Sequence, residues 1–383
     1  MTTSTPAGVL TGLNQDWQVL DVEIDDPNPW EVEVEMAYAG LCHSDEHMRD
    51  GVAGLSKGAL DFIGVDSVFP LVGGHEGAGV VTRIGDRVSD VAVGDHVAVC
   101  FIPSCGRCRW CARGDQQLCD RGIFTLAGPM ISDGTYRYRL GGQPLNRMSQ
   151  LGTFASRMVA HENSVIKIDP TVSLRAAALV SCGIATGFGA STNRGAVRPG
   201  EVVVVVGCGG VGSAALLGAR TSGAAIVIAV DPIDFKREQA PRFGATHTVA
   251  SIAEAQDLVT SLTDGQMADV AVLTAGVVRA ELVQPTVDLV SKGGRVVAVG
   301  AAPWDQQSVD LNMFNLCMFN KSLLGCMYGS SSPRVQVPNL LRLHARGLVD
   351  LDDFVTQEYS LEEVERGYQD MLDGHNVRGV IRF

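Results

Sequence analysis

The sequence has no cluster of lysines and arginines, no apolar run long enough to cross a membrane, and no basic start leading into an apolar core. Each absence excludes a class. With 30 Lys+Arg against 43 Asp+Glu and a formal net charge of −13, a polyanion such as nucleic acid is not an expected partner. No stretch reaches ~18 consecutive apolar residues, so no membrane span is expected. Met1-Thr2-Thr3-Ser4-Thr5-Pro6 does not read as a secretory signal. The chain therefore reads as cytoplasmic, where thiols stay reduced and cysteines serve metals rather than a disulfide framework. Internal repeats and low-complexity tracts are missing too. What is present is 383 residues with 46% apolar content, which suggests two hydrophobic cores rather than one.

Four of the ten cysteines are bunched. Cys105, Cys108, Cys111 and Cys119 are separated by two, two and seven residues. Four thiolates fill a tetrahedral zinc and leave no open position, so this spacing points to a structural site. Two disulfides are the alternative that a reducing compartment disfavours. An iron–sulfur cluster is the other, but the fourth cysteine is too distant for the common bacterial spacing.

A second constellation is spread more widely. Gly40-Leu41-Cys42-His43-Ser44-Asp45-Glu46-His47 places a thiol, a hydroxyl, carboxylates and imidazoles together, and Gly74-His75-Glu76-Gly77 follows. One Cys, one His and one further Cys form the soft three-ligand set of a catalytic zinc with an open fourth position. Residue chemistry alone does not select the second cysteine: Cys182, Cys100, Cys208, Cys317 and Cys326 are all available, and buried free cysteine is common. Ser44 and His47 share a face if this segment is helical. They read as a proton relay, or as an N-cap serine beside a solvated histidine.

The first domain alternates in short strands, through Trp17, Val19, Leu20, Val22 and Ile24, then Val32, Val34 and Met36. The glycine-containing stretch 52–69 reads as a long loop, either a flap or plain surface. The second domain opens with Glu201-Val202-Val203-Val204-Val205-Val206, an unbroken run suited to a strand buried on both faces. It leads into Gly207-Cys208-Gly209-Gly210-Val211-Gly212 and a small-residue helix, and a second strand ends at Asp231, 19 residues after Gly212. That order is the full dinucleotide fingerprint. Asp231 accepts from ribose hydroxyls and repels a 2′-phosphate, which favours NAD over NADP. Lys236 is placed to reach the same ribose, whereas Arg237 and Glu238 read as solvated helix charges.

In motif order and over nearly its whole length, from Gly8-Val9-Leu10 to Val377-Arg378-Gly379-Val380, the chain resembles the zinc-dependent medium-chain alcohol dehydrogenases. The resemblance implies an α/β architecture: a GroES-like β-rich catalytic domain over 1–183, completed by 330–383, and a Rossmann doubly wound parallel-sheet domain over 184–329. It selects Cys182 as the third ligand beside Cys42 and His75, giving two zinc ions per subunit. It implies Ser44 and His47 as the relay, with Asp45 and Glu76 orienting the ligands and Phe101 lining the alcohol pocket. Contacts to NAD fall to His43, Thr186, Gly207, Gly209, Gly210, Val211, Gly212, Asp231, Lys236, Val299 and Arg378, the last at the pyrophosphate. A homo-oligomer is also implied.

Phe101-Ile102-Pro103, Leu151-Gly152-Thr153-Phe154, Asp231 to Glu238 and Asn376 to Val380 further resemble the nicotinoprotein subgroup, the nitrosoaniline-dependent, mycofactocin-associated alcohol dehydrogenases. That implies an NAD that stays bound and is reoxidised in place by a second acceptor, such as mycofactocin. Other readings are an ordinary alcohol dehydrogenase with exchangeable NAD, a thiol-adduct formaldehyde dehydrogenase, and a non-catalytic zinc-stabilised nucleotide sensor.

Overall fold

The structure is a computed structural model that describes residues 2–52, 57–63, 65–122, 126–303 and 305–383. The chain divides into two compact units, Met1–Cys182 with Ser332–Phe383, and Gly183–Ser331. The divisions fall at 182/183 and 331/332, against 183/184 and 329/330 read from the sequence.

The first unit holds two sheets. In the seven-stranded sheet, Glu31–Gly40 lies centrally, antiparallel to Glu76–Ile84, Arg157–His161 and Arg378–Arg382. Every second side chain of a strand faces one side of its sheet, and Val32, Val34 and Met36 on one face join Val81, Val97 and Val99 in the core. Gly79 lets two strands approach closely, since a Cβ there would run into the Glu35 carbonyl. The six-stranded sheet pairs Thr2–Leu10 with Gln18–Asp25 in eight-residue register. Thr2–Leu10 is not legible as a strand because Pro6 removes a ladder donor and its neighbours are Thr and Ser. Here Pro6 is exposed while Thr5, Ala7, Val9 and Leu10 are buried. Pairing on both sides of the strand outweighs its weak propensity.

Of the stretch 52–69, residues 53–56 and 64 lie outside the described residues. Lys57–Ile63 is helical and Val65 is buried, so part of it has structure of its own rather than being plain loop.

The second unit is a six-stranded parallel sheet. Taken in chain order, the strands Val202–Val206, Ile226–Val230, His247–Val249, Ala268–Leu273, Val290–Ala298 and Ser322–Gly325 are arranged third, second, first, fourth, fifth, sixth. Central Val202–Val206 pairs on both sides, with Val203 opposite Val227 and Val270. Burial on both faces explains its unbroken β-branched sequence. The order reverses beside this strand, and open α/β sheets bind ligands at the carboxyl ends of strands at such a point. The glycine loop follows that end directly. Among the described residues, no single helix is long and apolar enough to cross a membrane.

Candidate active site and cofactor sites

Strand Glu31–Gly40 delivers Cys42, helix His43–Arg49 starts one residue later, and the turn before strand Glu76–Ile84 delivers His75. Cys182 follows helix Leu174–Val180, whose cap Ser181 donates to the Ala178 carbonyl and accepts from Gly77 N at 3.1 Å. That contact ties the third ligand to the second. Cys42, His75, Glu76 and Cys182 are all buried, with ligand atoms within 4.8 Å of one another.

The electrostatics of this cluster fit a dication. The Cys182 thiol donating to it, together with the His75 charge, holds Cys42 well below the ordinary thiol range. The same contact, then burial, pushes Cys182 well above it. Two buried sulfurs thus compete for one proton, a conflict that zinc removes because it binds both as thiolates. Burial opposes a charge on His75, but Asp45 and Cys42 outweigh it and raise the imidazole well above its usual range. His75 Nδ1 lies 2.9 Å from Asp45 Oδ2, while Gly74 N donates to Asp45 Oδ1 at 2.7 Å. A carboxylate on one ring nitrogen fixes the tautomer and leaves Nε2 to bind metal.

Glu76 is paired with Arg378, which is raised despite its burial by Glu76, Cys42 and Cys182. Gly40 makes room for that pair, since a Cβ there would meet the Glu76 carboxylate. With Glu76 engaged by Arg378, Cys42, His75 and Cys182 remain as the candidate ligands. Sequence reading placed Arg378 at a pyrophosphate. Its observed partner, Glu76, is 302 residues away, and no local signal shows that pairing.

Ser44 and His47 do lie on a helix. Ser44 Oγ is 3.6 Å from Cys42 Sγ, and His47 is buried with Nδ1 3.9 Å from Asp50 Oδ2. The His43 ring lies 5.9 Å from that of His47. Phe101 sets its ring edge-on to His75 at 5.6 Å.

In the cysteine lobe, Cys105, Cys108, Cys111 and Cys119 bring their sulfurs within 4.8 Å of one another. Tetrahedral zinc with ~2.3 Å bonds sets sulfurs about 3.8 Å apart. Backbone N–H groups point at the sulfurs: Cys105 N to Cys119 at 3.3 Å, Cys108 N to Cys105 at 3.4 Å and Cys111 N to Cys108 at 3.5 Å. Such donors stabilise thiolates, and amide contacts from Cys111 and Asp120 lower Cys108 to about 6. Burial, then Cys108, raises Cys111 to about 12. This set closes on itself without a substrate position.

In the second unit, Gly207 turns with φ +93°, a left-handed conformation that favours glycine. A Cβ on Gly209 would meet nothing within 4 Å, so space lies open beside the loop. Helix Gly210–Thr221 begins there with no side-chain cap and no acid in its first turn, which suits a bound pyrophosphate. Gly212 approaches the Gly207 carbonyl, and Gly187 brings helix Gly183–Gly189, with Thr186, against the Val211 carbonyl. Val299 follows a strand end and donates to Leu273 O at 2.9 Å.

Asp231 accepts from Cys208 N at 2.7 Å and Ile233 N at 2.9 Å, which locks its carboxylate beside the loop. Lys236 is half-buried. Arg237 is not the solvated charge expected: it donates to the Asp231 carbonyl at 2.6 Å and pairs with Asp234. Cys208 is a buried thiol, pushed up to about 12 by burial and then by Asp231.

Comparison with known proteins shows the family. Residues 28–170 match the alcohol dehydrogenase GroES-like domain, and residues 210–346 match the zinc-binding dehydrogenase family. NDMA-dependent alcohol dehydrogenase of Amycolatopsis methanolica is 44% identical over 377 residues, 98% of each chain. Alcohol dehydrogenase B of Mycobacterium tuberculosis is 42% identical over 379 residues, 99% of this chain and 98% of that one. Among solved structures, benzyl alcohol dehydrogenase from Acinetobacter calcoaceticus superposes with a TM-score of 0.88 at 28% identity, covering 100% of this chain and 99% of that one.

Proposed function

The chain belongs to the zinc-dependent medium-chain alcohol dehydrogenases, and from that premise we propose that it oxidises a hydrophobic primary alcohol to its aldehyde, reversibly, with an NAD that stays bound through the cycle. An external acceptor of the mycofactocin kind reoxidises the nucleotide in place. Alcohol dehydrogenase activity and the use of zinc and NAD come with the family. The trapped nucleotide rests on one observation, the 44% identity to an NDMA-dependent relative over almost the whole chain.

Bound at Cys42, His75 and Cys182, zinc supplies Lewis acidity to the alcohol oxygen, and NAD supplies the hydride acceptor. The residues of the chain do the rest. Asp45 holds His75 in the ligating tautomer. Arg378 keeps Glu76 engaged, so that Cys42, His75 and Cys182 would be left to hold the zinc. Ser44, beside Cys42, accepts the hydroxyl proton, and His47 receives it through the relay. Asp50, whose side chain is 38% exposed, continues the path toward solvent. Phe101 offers an apolar ring to the alcohol's carbon chain. In the second unit, Thr186 and Val299 would lie at the nicotinamide, Gly207 to Gly212 would hold the pyrophosphate, and Asp231 and Lys236 would bind the ribose.

A homo-oligomer belongs to the same proposal. Met313, Phe314 and Met318 are exposed on helix Met313–Met318, close in sequence to Ser322–Gly325, the last strand of its sheet.

Asp231→Gly is expected to weaken NAD binding and relax discrimination against NADP. A hydrogen bond to a charged acceptor is worth ~1.5–3 kcal/mol, roughly ten- to a hundredfold in affinity, and the loop also loses its anchor at Cys208 N. Titration of the nucleotide-stripped protein with both cofactors checks this, and unchanged affinities remove Asp231 from the ribose site. The functional reading itself is tested by turnover of alcohol with a nitrosoaniline acceptor and no added NAD. Activity under those conditions is expected; strict dependence on added NAD overturns the trapped-cofactor reading.

A further inference from the structure

Behind the ligand-bearing turn, one buried hydroxyl has no role so far. Tyr368, on helix Val364–Leu372, is 0% exposed, and its hydroxyl has no hydrogen-bond partner among the described residues. Its ring stacks on Trp17 at 5.2 Å and 15° and meets Phe154 edge-on at 6.2 Å. The same aromatic group packs against Gly73 and Gly74, where a Cβ would strike the Trp17 and Phe154 rings. Leu41, the neighbour of Cys42, belongs to this core as well. Tyr368 thus belongs to the aromatic core against which the segments carrying Cys42 and His75 pack.

Other buried polar atoms in this region lack a hydrogen-bond partner among the described residues, Trp17 Nε1, a donor, and Glu46 Oε2, an acceptor, among them. Glu46 gives its other oxygen to Arg49 at 2.8 Å, Arg49 reaches Glu365 at 3.0 Å, and Glu365 accepts from Trp17 N at 2.9 Å. These contacts bind helix His43–Arg49 to the elements around Tyr368. Burial, followed by Asp45, Cys42, Glu46 and Glu76, pushes the Tyr368 hydroxyl well above the ordinary tyrosine range, so it remains an O–H donor. A buried hydroxyl facing carboxylates stabilises them when it donates, and is costly when it does not.

We propose that Tyr368 is a positioning residue of the catalytic zinc site, its hydroxyl donating through one water into the buried Asp45–Glu46 carboxylates. Asp45 in turn holds both His75 Nδ1 and Gly74 N, so the hydroxyl acts on the metal through the orientation of His75. The inference rests on the reading that Cys42, His75 and Cys182 hold zinc.

Tyr368→Phe is the test, because it keeps the ring and its stacking and removes only the donor. Loss of a group that orients a metal ligand typically lowers metal affinity ~10–100-fold. The variant is expected to lose zinc from the Cys42 site to a competing chelator at ~10–100-fold lower chelator activity. The cysteine lobe should keep its zinc and serve as the internal control. With cobalt(II) in place of zinc, the visible absorption bands should shift. An idle hydroxyl predicts the opposite: its removal raises the melting temperature and leaves metal affinity and the cobalt spectrum unchanged, which overturns the inference. A wild-type protein that holds no metal at Cys42, His75 and Cys182 overturns the site itself and this inference with it.

Discussion

Cys182→Ala should leave one zinc per chain where the unmodified protein carries two, and alcohol oxidation should fall by at least about a thousandfold. The two sets of ligand atoms are separate. The lobe set lies wholly within residues 105–119 and is stabilised by its own backbone amides, so its zinc stays. The Cys42 set loses one of its two thiolates and with it its hold on zinc. Lewis-acid activation is worth several kcal/mol of transition-state stabilisation, and ~4 kcal/mol is about a thousandfold in rate. Metal analysis together with steady-state turnover checks both halves. A variant that keeps two zincs and full turnover removes Cys182 from the ligand set. One that loses a zinc but keeps its turnover shows that this zinc takes no part in the reaction.

His47→Ala should slow alcohol oxidation by ~10²–10⁴-fold, the usual contribution of a placed proton-transfer group, and retain both zincs. His47 is 4% exposed, so bulk water does not replace it freely. Its neighbour Asp50 offers the route outward. Pre-steady-state measurement of hydride transfer separates this step from product release, and the pH–rate profile should lose the dependence that His47 contributes. An unchanged profile removes His47 from the relay.

What could be read from the sequence was local. The cysteine lobe declares itself because all four ligands lie within one short segment. The glycine loop does so because strand, turn, helix and acid follow one another without interruption. Cys182 was not legible from residue types. It is brought to Cys42 and His75 by the Ser181–Gly77 contact and the packing of helix Leu174–Val180 on the sheet. The Arg378–Glu76 pair and the Tyr368 hydroxyl are tertiary in the same sense. Polar side chains far apart in sequence have no spacing signal, and their burial appears only once the strands are paired. Thr2–Leu10 was hidden for the opposite reason, since its local propensity is poor and pairing on both sides overrides it.

The nucleotide content of the purified protein after exhaustive desalting tests the trapped cofactor most directly. The predicted result is stoichiometric NAD, retained through desalting and released only on denaturation, in protein that is active with alcohol and a nitrosoaniline. Protein that emerges nearly empty of nucleotide and turns over freely on added NAD contradicts it.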